Sequence, residues 1–470
     1  MTTTMPFIHD NFLLYNITGR SLYHDVAARL PIVDFHNHID PAMVAGNAPF
    51  QTIQDVWVSG DPYKHRAMRI CGIPERLITG DAPAFEKFVA WAKCLTKTVG
   101  NPLFHWSCME LQTIFGIDEL LTECNAADIW ERANALLVTE AFRPQAILKK
   151  FGVELLCTSD DLADSLEHHR AIADQNVPFQ CLPSLRGDSI IAVNQPTFPA
   201  WLPKITEQTG VDITDLATFK QAVETRLDFF VECGCLLADH SFDAGFRYVA
   251  TDEATARNLL DNVLNGAALS SEQTVQLQSY LLLFLGQAYH HRRWRMQLHI
   301  GAFRYTSSRL RARVGGAGGF AAIGQTADIA SLSWFLDDLD KTESLPKTIL
   351  YTLNPADNAA FASLTGSFSE DGVVGKIQFG PAWWYNDHYL GITEQLTTLA
   401  NYGLLSTAIG MTTDSRSIFS MTRHDYYRRI LCNLVGNWVE SGQLPNDDEL
   451  LKNLIKDLSY NNIKYWLTNE

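Results

Sequence analysis

The chain has 470 residues, a formal net charge of −16 and a pI of about 5.3. Its 46% hydrophobic and 19% charged residues are ordinary proportions for a water-soluble globular enzyme. The acidic balance argues against nucleic acid and anionic membrane surfaces as partners, and no run of 18 apolar residues predicts a membrane span.

The N-terminal stretch MTTTMPFIHDNFLLYN lacks the basic segment and long apolar segment of a signal peptide. The nine cysteines follow no disulfide spacing, and Cys233 and Cys235 are too close together for a Cys-x-x-C site. We therefore expect reduced thiols and a cytoplasmic protein.

Short apolar runs recur along the chain, and most of them end in a polar residue, a glycine or a proline. The runs are residues 31–38, 152–161, 179–188, 234–242, 296–303, 348–357, 376–384 and 405–416. Stretches with helical spacing, such as 215–232 and 392–405, lie between most of them. Buried parallel strands that alternate with helices produce this pattern, so these eight units predict an α/β fold with a (β/α)8 TIM-like barrel.

Residues 40–150 separate the first two runs, and their aromatic content and helical spacing predict a helical insertion subdomain after the first strand. We expect residues 1–30 to form an N-terminal helical segment. Residues 31–39 and 151–470 would then form the barrel.

Three further segments carry their own expectations. Residues 189–232 look like a second insertion, after the third strand. The glycine-rich stretch 313–320 lacks the Gly-Lys-Ser/Thr of a P-loop, which favours a mobile loop over the barrel mouth. Residues 420–440 predict a helix that packs on the barrel, with Arg428 and Arg429 in solvent.

A possible metal site comes from polar residues at the ends of the predicted strands, where barrels carry their active sites. His36 and His38 are two residues apart on the first strand, so their side chains point to the same side. Alone, such a pair is more often a hydrogen-bonded turn. His299 on the fifth strand and Asp414 on the eighth reverse those odds, and a mixed imidazole and carboxylate set suits Zn, Fe, Ni or Mn, with Zn favoured.

Two arginines at strand ends predict an anionic ligand, because a guanidinium grips a carboxylate through paired hydrogen bonds. Arg186 ends the third strand, and Arg416 follows Asp414 by two residues. A salt bridge with a neighbouring Asp is an equally good reading of each arginine taken singly. Trp383 and Trp384 offer one ring to stack on a sugar and another for the core.

The ordered blocks of the chain resemble the uronate isomerases of the amidohydrolase superfamily, over essentially the whole length. The blocks are DFHNH, GDPYKHRAMR, GNPLFHW, TSDDLADSLEHH, GCLLADH, HIGAFR, TILYTLNPADN, QFGPAWWYND and TTDSRSIFSMTRHDYYRRIL. The resemblance implies a distorted (β/α)8 barrel with a metal at its mouth. It also implies interconversion of D-glucuronate with D-fructuronate and of D-galacturonate with D-tagaturonate, in hexuronate catabolism.

By the same resemblance, the metal-site residues are His36, His38 and Asp414, with His299 as their partner from the fifth strand. Arg416 would hold the carbonyl end of the open-chain sugar, and Arg186 its carboxylate. Tyr63 matches a family tyrosine implicated in proton transfer. We count His299, Asn354, Trp383, Trp384 and His65 among the expected substrate-binding residues.

One block departs from the family. The family commonly reads Asp-His-Tyr-Lys-Trp-Arg, whereas this chain reads Asp61-Pro62-Tyr63-Lys64-His65-Arg66. Pro62 replaces the usual histidine, and His65 replaces the usual tryptophan. A role carried by that histidine would pass to His65 only if another side of the helix faced the substrate.

Isomerisation requires ring opening, loss of a proton from C2, a stabilised enediolate and return of a proton to C1. Asp414 suits the hydroxyl proton, and Tyr63 suits the C2 proton if Lys64, Arg66 or Arg416 lowers its pKa. The alternative is a mononuclear metal hydrolase, such as a deaminase or lactonase.

Asn354 at the end of the sixth strand cannot act as the base of such a hydrolase, and no bridging acid is evident at the fourth strand. Both observations favour isomerisation. We expect a homo-oligomer that acts on a small hexuronate.

Overall fold

Parallel strands form the centre of the fold in the computed structural model, which describes residues 6–243 and 245–468. The strands are β1 (Ile32–Asp34), β2 (Val153–Cys157), β3 (Asp160–Asp161), β4 (Gln180–Leu182), β5 (Leu185–Arg186), β6 (Leu237–Asp243), β7 (Arg295–Phe303), β8 (Ala322–Ile323), β9 (Thr348–Thr352) and β10 (Ile377–Phe379). They pair in the orders β1-β2-β4 and β3-β5-β6-β7-β9-β10.

Two of the predicted strands are each split into two pieces. β2 and β3 are consecutive pieces of the second strand, and β4 and β5 are pieces of the third. Every neighbour pair along the two orders is parallel, and the short β8 adds an antiparallel edge to β7. The described strands thus supply seven neighbouring positions of the predicted barrel, in chain order.

The eighth position is filled differently from the prediction. No strand is assigned within 405–416; the segment begins with a 3-10 turn, Leu405–Thr407, and continues without regular structure. Gly410 and Asp414 have φ values of +83° and +46°, which break a regular ladder. The Asp414 N–H still donates to His36 O at 3.1 Å, so this segment lies alongside the chain that follows β1.

Helices surround the strands. They are α1 (Ile17–Asp25), α2 (Pro41–Gly46), α3 (Ile53–Trp57), α4 (Pro62–Ile70), α5 (Ala84–Leu95), α6 (Pro102–Phe115), α7 (Ala126–Leu137), α8 (Pro144–Lys150), α9 (Glu167–Ala173), α10 (Asp188–Ile191), α11 (Phe198–Thr209), α12 (Leu216–Glu232), α13 (Glu253–Leu264), α14 (Ser271–His291), α15 (Ser308–Val314), α16 (Ile329–Asp340), α17 (Asn358–Leu364), α18 (Tyr389–Tyr402), α19 (Thr422–Glu440), α20 (Asp448–Lys456) and α21 (Asn462–Thr468). Among the described residues, none of these helices combines the length and apolar character needed to cross a bilayer.

The helical insertion after the first strand is confirmed as a feature of the chain, because α2 to α8 all lie between β1 and β2. The helices predicted at 215–232 and 392–405 are α12 and α18, the latter beginning three residues earlier. The division into an N-terminal segment, an insertion and a barrel as separate units stays a prediction.

The prediction that Arg428 and Arg429 are solvated is wrong, since they are only 5% and 9% exposed. Arg428 donates to the carbonyls of Leu30 and Pro31, just before β1. Arg429 pairs with Asp425 within α19 and also binds the N-terminal segment. The two guanidinium groups satisfy backbone carbonyls that would otherwise be buried without partners.

A compact apolar cluster fills the inside of the barrel below its mouth. Alternate strand residues contribute to it, among them Val33, Leu155, Leu237 and Ile349. Trp466 of α21 packs into the same cluster. The interior is therefore a packed support for the polar residues above it, and not a channel.

Candidate active site

A cavity opens at the carboxyl ends of the strands, where the sequence predicted the site. Its empty volume is about 710 Å³, part of it open to solvent. The lining residues are His36, His38, Pro62, Tyr63, Arg186, Asp239, Ser241, His299, Arg304, Gly316, Ala317, Gly319, Ala321, Trp383, Trp384, Asp414 and Arg416. Residues from the barrel, the insertion and the glycine-rich stretch therefore meet in one place.

His36, His38 and Asp414 converge as predicted. Asp414 Oδ1 lies 3.4 Å from His36 Nε2 and 3.0 Å from His38 Nε2. One nitrogen or oxygen from each of the three residues falls within 4.8 Å of the others, which is the spacing of ligands around a single ion. Two imidazoles and a carboxylate fit a divalent transition metal with open coordination positions.

His299 lies beside this group and forms a second one with His36 and Asp239, within the same 4.8 Å limit. The His299 ring stacks on Tyr351 at 4.2 Å between centroids. Both of its ring nitrogens are buried without a hydrogen-bond partner among the described residues, and so is Asp239 Oδ2. Burying polar atoms without hydrogen-bond partners costs free energy, so these nitrogen and oxygen atoms fit contact with a bound ion or substrate.

The backbone and surroundings of Asp414 are specialised. Its φ of +46° lies in the left-handed region, which non-glycine residues seldom adopt outside functional sites. The Trp383 indole donates to Asp414 Oδ2 at 2.8 Å and fixes the carboxylate. Burial alone would raise the pKa of Asp414, but hydrogen bonds from His36 and His38 hold that pKa well below its usual range. Asp414 is therefore a carboxylate.

Three arginines line the cavity. Arg186 pairs with Asp188 at 3.0 Å and donates to Ser241 Oγ at 3.1 Å. The salt bridge expected as one interpretation of Arg186 is therefore present, and the residue still lines the cavity. Arg304 donates to the same Ser241 oxygen at 2.8 Å. The exposed Arg416 has no hydrogen bond or ion pair with the residues that the structure describes. The cavity is cationic although the chain is acidic.

Tyr63 reaches the cavity from α4, whose first turn is set by two residues. Asp61 caps the helix by accepting from the Tyr63 and Lys64 N–H groups at 2.8 and 3.2 Å. Pro62 occupies the first helical position, where its missing N–H costs nothing. The departure from the family at residue 62 is thus compatible with the helix that presents Tyr63.

The condition set for Tyr63 as a C2 base, a pKa lowered by nearby cations, is not met. Burial raises that pKa well above its ordinary value, and the nearby Asp414 carboxylate adds to the effect. Lys64 is committed to Asp61 at 2.8 Å, and Arg66 to the Ala321 carbonyl at 2.8 Å. Arg423 faces the Tyr63 ring at 5.5 Å, but its opposing effect is smaller than that of burial. Tyr63 is therefore a neutral phenol.

His65 and Asn354 do not line the cavity, contrary to the prediction that they bind substrate. His65 follows Tyr63 by two positions on α4, which places it on another side of the helix. The Asn354 side chain accepts from the Ala356 N–H at 3.1 Å and donates to the Gly324 carbonyl at 3.0 Å. These two bonds cap a turn. They use both ends of the side-chain amide, so it is not available to a ligand.

The glycine-rich stretch lies over the cavity, as predicted. Gly316, Ala317 and Gly319 line it. Helix α4 holds the stretch in place, since Arg69 donates to the Gly318 carbonyl and Arg66 to the Ala321 carbonyl. The loop and Tyr63 are therefore positioned by one helix.

The sequence reasoning missed two lining residues of chemical interest. Asp239 lies within the predicted fourth strand, and its closeness to His36 and His299 contradicts the expectation that no acid is available there. Arg304 follows the predicted fifth strand, in the HIGAFR block. Their positions at strand ends were a usable signal for both residues.

Trp383 and Trp384 both line the cavity but differ in surroundings. Trp383 is 6% exposed and lies 4.8 Å from the His299 ring. Trp384 stacks on Tyr385 and lies 5.6 Å from the Arg304 guanidinium. Trp383 thus supports the candidate metal-site residues, and Trp384 is the ring at the mouth.

Comparison with known proteins gives one consistent answer. The family model described as glucuronate isomerase matches residues 4–467. The uronate isomerase of Bacillus licheniformis is 44% identical over 465 residues, which cover 99% of this chain and 98% of the relative. That of Caldanaerobacter subterraneus is 44% identical over 462 residues, covering 98% and 99%.

Solved structures agree with the sequence relatives. The crystal structure of uronate isomerase from Thermotoga maritima superposes with a TM-score of 0.93 at 31% identity, covering 98% of this chain and all of that one. The glucuronate isomerase of Caulobacter crescentus gives 0.91 at 25% identity, covering 98% and 97%. Because these relatives match along nearly their whole length, and the cavity holds the residues expected of them, the chain belongs to the uronate isomerase family.

Proposed function

We propose that the chain interconverts D-glucuronate with D-fructuronate and D-galacturonate with D-tagaturonate, as an aldose–ketose isomerase of hexuronate catabolism. The single observation that carries this proposal is the cavity itself. It combines a candidate metal-binding triad, His36, His38 and Asp414, with three arginines. A small sugar acid offers hydroxyl and carbonyl oxygens to a metal held by the triad, and a carboxylate to the arginines.

The arginines suit the two ends of an open-chain hexuronate. Arg186 and Arg304 are joined through Ser241, which sets both guanidinium groups at one wall of the cavity. We assign them to the substrate carboxylate. Arg416 lies next to Asp414 along the chain and has no competing partner among the described residues, which supports its role at the carbonyl end.

The proton-transfer roles follow from the ionisation of each group. Asp414 is a carboxylate and accepts the hydroxyl proton during ring opening. Tyr63 is a neutral phenol, so its role is to donate a hydrogen bond or a proton to the enediolate. Asp239 supplies a second carboxyl group at the cavity for the proton at C2.

We propose that His36, His38 and Asp414 hold a divalent metal, with Zn as the best candidate for this ligand set and His299 as an additional ligand. Such an ion polarises a carbonyl or hydroxyl oxygen when it is bound. The protein residues orient the substrate around that position. Metal analysis of the purified protein tests the identity of the ion.

A metal-dependent hydrolase is the alternative on this barrel. A putative metal-dependent hydrolase from Lactobacillus casei matches with a TM-score of 0.54 at 12% identity, a likeness of fold alone. The Asn354 side chain is hydrogen-bonded within its turn and offers no base. The second argument against hydrolysis, the absence of an acid at the fourth strand, is weakened by Asp239. The cationic cavity favours a sugar acid as substrate.

The deciding experiment incubates metal-loaded protein with each uronate and follows ketose formation by NMR. We expect a ketose from D-glucuronate, from D-galacturonate or from both. Arg416→Gln should raise KM at least ~10-fold, the size of effect expected when a charged hydrogen bond is lost. The surface variant Arg257→Gln, which loses only an exposed pair with Glu253, is the matched control.

If neither uronate gives a ketose while the folded protein retains its metal, the proposed reaction is wrong.

We also propose a cytoplasmic homo-oligomer. The nine free cysteines support the cytoplasmic location. The frequency of symmetric oligomers among soluble enzymes supports the homo-oligomer. Light scattering of the purified protein measures the oligomeric state.

A further inference from the structure

Two cysteines meet at the end of α4, outside the active site. Cys71 follows the last residue of α4, and Cys94 lies within α5. The Cys94 thiol donates to Cys71 Sγ across 3.3 Å. A disulfide has a sulfur–sulfur distance of about 2.05 Å, so the two sulfur atoms need to approach by only ~1.2 Å.

A separate open cavity gives reagents access to this pair. Both cysteines line it, and Cys71 is the half-buried member whereas Cys94 is buried. Lys97 also lines the cavity and has no ion pair with the residues that the structure describes. A cation at the rim favours an anionic reagent and stabilises a nearby thiolate.

The pair is mechanically connected to the active site through α4. Tyr63 lies near the start of this helix, and Arg69 near its end holds the Gly318 carbonyl of the loop over the cavity. Arg69 also forms a bidentate pair with Glu75, at 2.7 and 2.8 Å, immediately beyond Cys71. A displacement of Cys71 is therefore passed directly to residues that shape the substrate cavity.

We propose that Cys71 and Cys94 are a redox modification site, at which a small-molecule disulfide forms an intramolecular disulfide that ties α4 to α5 and shifts Tyr63. The more accessible Cys71 thiolate attacks one sulfur of the reagent, forms a mixed disulfide and releases one thiol. Cys94 then attacks the Cys71 sulfur and releases the second thiol. The two protein thiols are oxidised, and the reagent disulfide is reduced to two thiols.

Burial raises the pKa of the Cys94 thiol, and the neighbouring Cys71 adds to this effect. Cys71 is the first nucleophile because it is the more accessible of the two thiols. Disulfides in reducing compartments are typically transient and sensory, which is the behaviour expected of a pair that is reduced in the resting protein.

Oxidised glutathione is the probe, and mass spectrometry gives a readout that is independent of catalysis. Trypsin releases Cys71 in peptide 70–76, ICGIPER, and Cys94 in peptide 94–97, CLTK. In the oxidised wild type we expect one cross-linked species, lighter than the two peptides together by two hydrogen atoms. Dithiothreitol should separate it into the two peptides.

The variants Cys71→Ser and Cys94→Ser should both abolish the cross-link. Cys124→Ser is the matched control, because Cys124 is exposed on the same insertion and should leave the cross-link intact. Failure of the wild type to form the bond, or its loss in the control variant, overturns the proposal.

The second readout rests on the proposed function and measures uronate isomerisation before and after oxidation. A shift of about 1 Å in a positioned group can cost up to 10²-fold in rate, so we expect kcat of the oxidised wild type to fall ~10-fold. Dithiothreitol should restore it, and Cys71→Ser should not respond. A complete cross-link with unchanged kcat overturns the link to Tyr63, whereas a reduced protein without activity points instead to failure of the proposed function.

Discussion

Asp414 joins two requirements in one residue, because both its backbone and its carboxylate are specialised. Asn tolerates the left-handed region nearly as well as Asp does, so Asp414→Asn removes the charge and keeps the backbone. We expect kcat to fall at least ~10³-fold, as is usual when a catalytic carboxylate is removed. The metal content should also fall, while the melting temperature changes little.

The comparison variant for Asp414 is Asp448→Asn, an exposed carboxylate on α20 that pairs with Lys452 outside the cavity. It should retain both metal and activity. Wild-type activity in Asp414→Asn would show that neither ring opening nor metal binding depends on this carboxylate.

Tyr63 has a neutral phenol whose role differs from the one first expected. Tyr63→Phe removes only the hydroxyl and should lower kcat by about 10²–10⁴-fold, the usual contribution of one acid or base. Exchange of the C2 proton with solvent deuterium separates the roles. If Tyr63 acts as the acid, the variant should still exchange that proton even though ketose formation is slow.

Tyr248→Phe provides a control, because its phenol donates to Asp338 at 2.7 Å and neither residue lines the cavity. A Tyr63→Phe enzyme that has lost the exchange would instead make Tyr63 the base. Because burial raises the pKa of Tyr63 well above its ordinary value, Tyr63→Phe should leave any inflection of the pH profile near neutrality in place.

The sequence predicted which candidate ligand residues come together better than it predicted the ionisation and contacts of their neighbours. Residue type and position at strand ends were enough to predict His36, His38 and Asp414 together, because the carboxyl ends of all barrel strands face the same cavity. The ionisation of Tyr63 did not follow, because sequence neighbours on a helix point in different directions. Lys64 and Arg66 are adjacent to Tyr63 in sequence but bind other partners.

At the scale of elements, α4 and the glycine-rich stretch act as one unit. Gly319 has a φ of +79°, and a Cβ at this position would collide with the Pro62 carbonyl oxygen at the start of α4. Gly319→Ala should therefore cost about 1–2 kcal/mol of backbone strain and also push the loop away from the helix. We expect a lower melting temperature and a raised KM for the uronate.

Gly372→Ala is the control for this prediction. Its φ of +76° is nearly the same, but nothing lies within 4 Å of the added Cβ. It should show the strain alone, as a modest fall in melting temperature with unchanged KM. Equal kinetic behaviour of the two variants would mean that contact between the loop and α4 does not shape the cavity.

The order of elements was predictable where hydrophobic periodicity was strong. The alternation of β and α elements, and the helical insertion between β1 and β2, follow from the apolar runs. The eighth strand was not predictable from its apolar run. Residues 405–416 lack a regular ladder because the positive φ values of Gly410 and Asp414 interrupt it and the His36 N–H donates to the Thr412 hydroxyl at 2.9 Å. Hydrophobicity reports neither feature.

The whole barrel depends on how its last segment is joined to its first strand. Asp34 is fully buried at the end of β1 and accepts hydrogen bonds from Thr412 Oγ1 at 2.8 Å and from the Thr413 N–H and Oγ1 at 2.7 Å each. Asn37 Nδ2 also donates to Asp34 at 3.0 Å, and His424 of α19 lies 3.4 Å away. One carboxylate thus reinforces the few backbone bonds, such as Asp414 N–H to His36 O, that join the two ends of the barrel.

Removal of this carboxylate should open the barrel at its seam. Asp34→Ala leaves at least three buried donors without an acceptor, and we expect a loss of about 3–5 kcal/mol in unfolding free energy. Asp40→Ala, which removes an exposed helix cap that accepts the Ala42 N–H, should cost only ~1 kcal/mol. Thermal unfolding of both variants with their metal bound measures the difference. Similar melting temperatures would show that packing of the surrounding helices, and not Asp34, holds the last segment against β1.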